Sequence, residues 1–404
     1  MKAVVFTLGC KVNEVESAQI LAELESRGWA VDSRLSPADV YVLNTCAVTR
    51  EAERKSRQLV SRALKCNPSA RVYVCGCASE KCAEQFKRQG VAFVTGAQAK
   101  EKVVDAVLKD FGGGGCASLG YPKQVKTRAF IKIEDGCDNF CSYCVIPYLR
   151  GRVKSRSAED IAGEIAVCQA PEIVLTGINI SAYDGCAGGL AGLIRAISFT
   201  DKRVRLGSLE CNVITGGFLS ALKGLKDFAP QFHLSLQSGS DAVLRAMNRH
   251  YTRVEYLEKC ALIYNYFPNG AITTDIIAGF CGETEQDFSD SLSIISEAGF
   301  ARVHAFAFSP REGTKAFSLP DVDGNIKSER LHRLLQAGKI AEEKFVEKQF
   351  GREYALISEE FDGEYTCGYT ENYIKTYVKG KHCGKLSVRL VKAFRDGVLA
   401  EILN

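Results

Sequence analysis

Short β-rich runs alternate with helical segments over most of the chain, and this alternation restricts the folds open to it. Residues 4–8 form a β-rich run, residues 14–28 have helical spacing that stops at Gly28, and residues 40–43 form the next run. Strand–helix–strand order predicts parallel strands joined by crossover helices. We therefore predict an α/β protein that begins with a parallel α/β domain over residues 1–111.

Two further domains are predicted after this first one. Residues 112–115 are four consecutive glycines, which are typical of a flexible linker, here over residues 112–126. Six β runs with intervening helical segments follow, and they predict a central partial (β/α)6 barrel over residues 127–345. After Gly351 the pattern changes to short strands and turns, which predicts a small all-β module over residues 346–404.

The seventeen cysteines need an explanation other than disulfide bonds. Disulfide frameworks belong to short secreted chains, whereas the first residues here lack the apolar stretch and cleavage site of a signal peptide. No apolar run reaches the length of a membrane span. We expect a soluble cytoplasmic protein, with no membrane partner, in which some thiols bind metal. The net charge of +4 neither requires nor excludes a nucleic-acid partner.

The strongest local signal is the C-x3-C-x2-C spacing of Cys137, Cys141 and Cys144. Three thiols in one loop after a strand can converge on one inorganic centre, and soft thiolates select zinc or iron–sulfur. A closed structural zinc site needs a fourth ligand, and the next cysteine, Cys168, is more than twenty residues away. The spacing therefore favours a reactive centre with an open position. A zinc knuckle completed from a distant segment and three core cysteines are the alternatives.

A second set consists of Cys10, Cys46 and Cys77, each of which follows a predicted strand. The carboxyl ends of parallel strands meet at one edge of a sheet, where such folds bind ligands. The spacing therefore predicts that the three thiols gather at that edge. Three buried structural cysteines are the alternative, and Cys75 competes with Cys77. The other cysteines are interpreted as small buried hydrophobes.

The loop spacing resembles the signature of the radical S-adenosylmethionine (SAM) enzymes. In that family the three thiolates, here Cys137, Cys141 and Cys144, hold a 4Fe–4S cluster whose fourth iron binds the amino and carboxylate groups of SAM. Reduction then cleaves SAM to methionine and a 5′-deoxyadenosyl radical. Tyr143 matches the aromatic residue that lies beside the adenine, and packing over the cluster is its alternative role.

The whole chain resembles the methylthiotransferase branch of that family. Leu8-Gly9-Cys10, Asn44-Thr45-Cys46 and Gly76-Cys77 match the three cysteine motifs of its N-terminal domain. Segments 236–240, 243–249, 274–280 and 309–314 match downstream motifs, although Cys281 replaces a usual proline. The resemblance selects Cys77 over Cys75 and implies a second 4Fe–4S cluster on Cys10, Cys46 and Cys77. It also implies that residues 368–373 belong to a TRAM domain, a small tRNA-binding β-barrel.

The resemblance implies that SAM is used twice. One molecule methylates sulfur held at the N-terminal cluster, and a second yields the radical that removes hydrogen from the target carbon, which then receives the methylthio group. Gly177, Glu210 and Gln237 are weaker candidates for SAM contacts because each lies at the end of a predicted strand. Ordinary loop structure is the alternative for all three. An electron donor and a sulfur donor, both of unknown identity, are also implied.

Basic and aromatic residues predict contact with RNA. Lysines and arginines without an intervening acid occur in the C-terminal module, with Tyr369, Tyr373 and Tyr377 nearby, and a solvated charged face is the alternative. These basic residues are Lys375, Lys379, Lys381, Lys385, Arg389, Lys392 and Arg395. A second basic face is predicted directly after the cysteine loop, and one of its members is a candidate partner for the SAM carboxylate. Its members are Arg150, Arg152, Lys154 and Arg156.

Residues 7–13, Thr-Leu-Gly-Cys-Lys-Val-Asn, are typical of the branch that modifies N6-threonylcarbamoyladenosine next to the anticodon of tRNA. The resemblance therefore implies the anticodon stem-loop of tRNA as the partner and the 2-methylthio derivative as the product. Methylthiolation of N6-isopentenyladenosine in tRNA or of a ribosomal-protein aspartate are alternatives within the family. A non-catalytic, metal-stabilised RNA-binding protein and an electron-transfer protein are the alternatives from other classes.

Overall fold

The computed structural model describes residues 1–112, 119–122, 124 and 127–403. These residues form two compact units. The first comprises the described residues of Met1–Gln124, Glu134–Lys154 and Arg311–Thr314, and the second those of Val125–Ile133, Ser155–Pro310 and Lys315–Asn404. The cysteine loop at 137–144 thus belongs to the same unit as the N-terminal sheet. Most of the predicted 112–126 linker lies outside the described residues, and the predicted domain limits stay a prediction.

A five-stranded parallel sheet forms the centre of the first unit. Its strands are β1 (Lys2–Thr7), β2 (Ala30–Asp32), β3 (Val40–Thr45), β4 (Arg71–Gly76) and β5 (Phe93–Val94), in the order β2-β1-β3-β4-β5. Its helices are α1 (Lys11–Ser26), α2 (Arg50–Cys66), α3 (Cys77–Lys87) and α4 (Glu101–Asp110). This sheet confirms the predicted N-terminal parallel α/β architecture.

The cysteine loop is flanked by three short elements that follow strand β6 (Arg128–Lys132). Strand β7 (Glu134–Asp135) precedes the loop, and helix α5 (Ile146–Arg150) and strand β8 (Lys154–Ser155) follow it. Strands β7 and β8 pair with each other. The backbone N–H of Cys137 also donates to the carbonyl of Gly151 at 3.1 Å. The two ends of the loop are therefore held together at its base.

The second unit contains two parallel sheets. Strand β6 joins β9 (Glu172–Thr176) and β10 (Arg203–Leu206) in the order β10-β9-β6. The other sheet has the order β11-β12-β13-β14, with β11 (Ser208–Leu209), β12 (Gln231–Leu234), β13 (Ala271–Ala278) and β14 (Arg302–Ala307). Only Gly207 separates β10 from β11, and its N–H donates to the Leu175 carbonyl at 2.8 Å. If β10 and β11 are counted as one interrupted strand, the two sheets contain six strands that follow one another in sequence order. This arrangement confirms the predicted central parallel α/β region.

Helices cover one face of these central strands. They are α6 (Ala158–Val167), α7 (Gly189–Ala196), α8 (Gly216–Lys223), α9 (Asp241–Ala246), α10 (Arg253–Tyr266), α11 (Glu285–Glu297) and α12 (Gly324–Glu347). Along β13, Ile272, Thr274 and Ile276 are fully buried, whereas Asp275 and Ile277 are only partly buried. This alternation is the strand period of two, so the apolar core lies between the helices and one face of the strands.

A closed β-barrel completes the second unit. Its strands are β15 (Glu353–Phe361), β16 (Tyr365–Thr370), β17 (Lys375–Lys379), β18 (Lys385–Phe394) and β19 (Gly397–Ile402), in the order β15-β16-β17-β19-β18. Its core includes Leu356, Val378 and Leu390 and continues onto Phe345 at the end of α12. The predicted all-β C-terminal module is confirmed. No helix among the described residues is both long and apolar enough to cross a membrane.

Candidate metal centres and nucleic-acid surface

Cys10, Cys46 and Cys77 lie at the carboxyl ends of three neighbouring strands. Cys10 follows β1 and directly precedes α1, Cys46 directly follows β3, and Cys77 is the first residue of α3 after β4. These strands are adjacent in the order β1-β3-β4. The structure therefore brings the three predicted residues to one edge of the sheet, and we call this group the strand-end site.

Two glycines allow the backbone to reach this edge. Gly9 has φ +112°, and a Cβ added to it would lie 2.9 Å from Cβ and 3.0 Å from Sγ of Cys46. Gly76 has φ +105°, and a Cβ there would lie 2.5 Å from the carbonyl oxygen of Thr45. Only glycine tolerates both the backbone angle and the close approach. The backbone therefore requires glycine at the positions before Cys10 and Cys77.

Polar side chains that the sequence reasoning missed hold these turns in place. Asn13 Nδ2 donates to the carbonyls of Leu8 at 2.7 Å and Thr45 at 3.1 Å. Ser56 Oγ accepts from the backbone N–H of Cys46 at 3.1 Å and donates to its carbonyl at 3.1 Å. Asn13 is the last residue of the Thr-Leu-Gly-Cys-Lys-Val-Asn segment at residues 7–13. Ser56 lies ten residues after Cys46, and no local sequence pattern indicates its role.

Burial and nearby charge act in opposite directions on the thiols. Burial raises the pKa of Cys46, and the neighbouring Cys77 and Cys10 raise it further. Burial also raises the pKa of Cys77, while Arg150 and Lys100 lower it. The thiols therefore lie close enough to influence one another. Three thiols with a buried cation beside them are a donor set that fits an iron–sulfur cluster, because the cluster and its thiolates carry negative charge.

Cys75 has a different environment from Cys77. Its side chain is fully buried in the apolar cluster on the opposite side of the sheet, with Tyr73 and Val104. Burial raises the pKa of Cys75 to about 12. Cys75 therefore behaves as a core residue, which agrees with the choice of Cys77. Among the described residues, no three His, Cys, Asp or Glu side chains are grouped so that they could hold one metal ion. A 4Fe–4S cluster is a larger group, in which each cysteine thiolate binds a different iron.

The loop with Cys137, Cys141 and Cys144, which we call the loop site, has a constrained backbone. The N–H of Cys144 donates to the Cys141 carbonyl at 3.0 Å. Gly136 has φ +90°, and a Cβ there would lie 2.1 Å from the Arg152 carbonyl oxygen. Cys141 is buried, whereas Cys137, Cys144 and Tyr143 are half-buried. Three thiols within one tight loop are compatible with a cluster that remains accessible to a second ligand.

The three weaker candidates for contact with SAM all lie at carboxyl ends of strands in the second unit. Gly177 directly follows β9, and Glu210 directly follows β11. The Glu210 carboxylate pairs with Arg249 Nη1 at 2.9 Å, a partner that the sequence reasoning missed. Gln237 has φ +73°, and its N–H donates to the Asp275 carbonyl at 2.8 Å. Contact of these residues with SAM stays a prediction.

Acidic side chains neutralise part of the predicted basic surface of the barrel. Four of the seven basic residues are paired with acids: Lys375 with Asp396, Lys385 with Asp227, Arg389 with Glu353, and Arg395 with Asp362. Lys379, Lys381 and Lys392 are exposed, and no ion pair of theirs is found among the described residues. These three lysines, which we call the free-lysine set, are the strongest candidates for phosphate contact.

The prediction that Tyr377 is a surface aromatic residue for RNA contact is wrong. Tyr377 is 6% exposed, and its hydroxyl donates to Asp396, so it is a packed residue and not a surface ring. Tyr369 and Tyr373 stack on each other with centroids 4.6 Å apart, and Arg128 lies over both rings. Arg150 is likewise not on a basic face, because it is only 2% exposed.

Two family models match the chain. The model of the uncharacterized protein family UPF0004 matches residues 2–96, and that of the radical SAM superfamily matches residues 131–295. Threonylcarbamoyladenosine tRNA methylthiotransferase MtaB of Chlamydia pneumoniae is 35% identical over 98% of this chain and 97% of its own length. The tRNA-2-methylthio-N(6)-dimethylallyladenosine synthase of Fervidobacterium nodosum is 34% identical over 89% of this chain and 88% of its own length. The radical SAM match implies SAM and a 4Fe–4S cluster.

A solved structure shares the fold at low sequence identity. The radical S-adenosylmethionine methyltransferase TsrM of Kitasatospora setae, solved with cobalamin and a [4Fe-4S] cluster, superposes with a TM-score of 0.58. The match covers 78% of this chain and 77% of TsrM, at 12% identity. It supports the fold of the chain and nothing about its substrate.

Proposed function

This chain belongs to the radical SAM methylthiotransferase family, and on that premise we propose that it adds a methylthio group to N6-threonylcarbamoyladenosine in tRNA. The observation that carries the proposal is the strand-end site. Cleavage of SAM needs only the loop site. A second group of three thiols, at the ligand-binding edge of a parallel sheet and in the same compact unit as the loop site, supports a reaction that needs two centres.

Each of the two sites binds its own cluster through three cysteines. Cys137, Cys141 and Cys144 hold one 4Fe–4S cluster and SAM, and Cys10, Cys46 and Cys77 hold the other. When bound, these groups supply electrons for the cleavage of SAM and the sulfur that is transferred. Asn13 and Ser56 orient the turns that carry Cys10 and Cys46. Burial shields the thiols of Cys46 and Cys77 from water, whereas Cys10 is exposed. An external electron donor and an external sulfur donor complete the reaction.

The choice of adenosine derivative rests on the first turn and on the relatives. Residues 7–13 have the sequence typical of the threonylcarbamoyladenosine branch, and a relative named for that substrate matches nearly the whole chain. A relative named for the dimethylallyl substrate is 34% identical, so that substrate is the second candidate. Both lie next to the anticodon, and one experiment separates them.

Mass spectrometry of tRNA nucleosides tests the reaction and the substrate together. A deletion strain complemented with the wild-type gene is expected to contain 2-methylthio-N6-threonylcarbamoyladenosine. Complementation with a Cys10→Ala/Cys46→Ala/Cys77→Ala variant is expected to leave only the unthiolated nucleoside, because the strand-end site is lost. Wild-type complementation that restores methylthio-isopentenyladenosine instead would establish the second candidate. An unchanged nucleoside profile in the deletion strain would contradict both.

Contact with tRNA is proposed to involve the free-lysine set. Each lysine–phosphate contact adds about 0.7–0.9 to the slope of log affinity against log salt. A Lys379→Gln/Lys381→Gln/Lys392→Gln variant is therefore expected to lower that slope by about 2 and to weaken tRNA binding at 0.1 M salt. The slope is measured by filter binding or fluorescence anisotropy over a salt series.

The paired basic residues of the same barrel provide the matched control. A Lys375→Gln/Arg389→Gln/Arg395→Gln variant removes the same number of charges, but each of these is already neutralised by an acid. Its salt slope is expected to change by less than half as much. Equal slopes for the two variants would show that tRNA does not contact the free-lysine set.

A further inference from the structure

Arg150 is a buried cation held by two separate segments of the first unit. It is the last residue of α5, six residues after Cys144, and is 2% exposed. Its Nη1 donates to Glu16 Oε1 at 3.1 Å and to Asp135 Oδ1 at 2.9 Å. Its Nη2 donates to Asn13 Oδ1 at 2.6 Å and to Glu16 Oε2 at 3.3 Å. The planar guanidinium presents both of its terminal nitrogens to these acceptors.

The partners of Arg150 belong to the backbones that carry the two cysteine groups. Asn13 lies three residues after Cys10, and its amide nitrogen holds the carbonyls of Leu8 and Thr45, which flank the turns of Cys10 and Cys46. Asp135 lies two residues before Cys137. One guanidinium therefore connects the frame of the strand-end site to the base of the loop site.

Two positive and two negative charges balance around Arg150, so its removal would leave a net negative charge beside the strand-end site. Glu16 and Asp135 carry the negative charges, and Arg150 together with Lys100, which pairs with Glu16, carries the positive ones. Burial works against the charged guanidinium, but Glu16, Asp135 and Cys77 outweigh it and raise the pKa of Arg150. Its Nε is buried and has no hydrogen-bond partner among the described residues. This donor is a costly group to bury unless a further acceptor is bound nearby.

We propose that Arg150 is a positioning residue for the strand-end cluster: it fixes the turn of Cys10 through Asn13 and supplies the positive charge that stabilises the reduced cluster beside Cys77. The proposal rests on the proposed function, since it requires a cluster at the strand-end site. It extends that function to a residue outside the cysteine motifs. Reduction adds one negative charge to a cluster, and a buried positive charge nearby favours the reduced form.

The experiment isolates the strand-end cluster in the full-length chain. All proteins carry Cys137→Ala/Cys141→Ala/Cys144→Ala, so that only the strand-end site binds iron after anaerobic reconstitution. Iron and labile sulfide are counted, and the cluster is titrated electrochemically with electron paramagnetic resonance as the readout. Arg150→Met removes the charge, Arg150→Lys keeps it, and Arg152→Gln is the matched control. Arg152 lies two residues away, but its side chain is 73% exposed and pairs with Asp138.

Arg150→Met is expected to lower the ratio of reduced to oxidised cluster at least tenfold at a fixed potential, which corresponds to about 59 mV for one electron, or to prevent retention of the cluster. Arg150→Lys and Arg152→Gln are expected to retain about four irons and to stay within threefold of the parent ratio. Equal impairment of the Met and Lys variants would indicate a role in packing and overturn the proposal, as would unchanged behaviour of both.

The iron content of the wild-type protein, compared with that of the triple variant, separates this inference from the proposed function. If the chain with all cysteines binds about eight irons and the triple variant about four, two 4Fe–4S clusters are present. A fall from about four irons to none would leave the strand-end thiols without a cluster, and the proposed function would fail. Four irons in the triple variant with no effect of Arg150→Met would refute only the role of Arg150.

Discussion

Replacement of Gly76 by alanine is expected to abolish assembly of the strand-end site. Gly76 has φ +105°, where a residue with a Cβ is strained by about 1–2 kcal/mol. The added methyl group would also lie 2.5 Å from the Thr45 carbonyl oxygen and 2.7 Å from its backbone nitrogen. Because these are backbone atoms of the neighbouring strand, a side-chain rotation cannot relieve the overlap. The end of β4 must move away from β3, and Cys77 moves with it.

The measurement is iron per chain after reconstitution, together with methylthio transfer to tRNA. Gly76→Ala is expected to lose about half of the iron, corresponding to one of two 4Fe–4S clusters, and all transfer activity. Gly90→Ala is the matched control, because Gly90 has a similar φ of +77° but a Cβ there would meet no atom within 4 Å. Full iron content in Gly76→Ala, or equal loss in Gly90→Ala, would contradict the steric argument.

The geometry of the strand-end site was predictable because it follows from topology. Once β1, β3 and β4 are parallel, the residues after them share one edge, whatever the details of packing. The sequence therefore placed Cys10, Cys46 and Cys77 together without any knowledge of side-chain positions. The glycines that precede Cys10 and Cys77 are also visible in the sequence, although only the positive φ angles explain them.

The contacts of Arg150 and Tyr377 were not predictable for the opposite reason. Arg150 meets Asn13, which is 137 residues away in sequence, and no periodicity or spacing links the two. Because a run of basic residues usually lies on a solvated face, Arg150 was assigned to a basic surface that it does not reach. Tyr377 shares one face of β17 with Lys375 and Lys379, whereas Val378 points into the barrel core. The ring of Tyr377 is nevertheless buried, because Phe394, Arg395 and Asp396 contact it. Burial of a residue on an outer face depends on such contacts between distant segments, which a strand pattern does not predict.

The second large effect is expected from Arg203, which joins the central sheet to the C-terminal barrel. Arg203 is the first residue of β10 and is fully buried. Its Nη2 donates to the Ala355 carbonyl at 3.0 Å, and its Nε donates to Asp227 Oδ1 at 3.4 Å. Glu172 and Glu371 each lie 4.0 Å from its guanidinium. One side chain thus offsets several negative charges and satisfies a barrel carbonyl.

Arg203→Met is expected to reduce the free energy of unfolding by about 3–5 kcal/mol, because removing one partner leaves buried acids uncompensated. The loss is expected to be largest in the barrel, whose strand β15 contains Ala355. Urea denaturation of the full chain measures the total, and hydrogen exchange of β15 and β16 amides shows whether the barrel opens first.

The control and a rescue variant make the cause of this loss testable. Arg302 is also the first residue of a parallel strand, but its side chain is 54% exposed and pairs with Glu342 at 2.9 Å. Arg302→Met is expected to cost less than about 1 kcal/mol, as exposed ion pairs usually do. If charge imbalance is the cause, adding Glu371→Gln to Arg203→Met should recover part of the stability, since one partly buried carboxylate is then neutral. A double variant less stable than Arg203→Met alone would instead indicate that the loss comes from packing and from the Ala355 carbonyl.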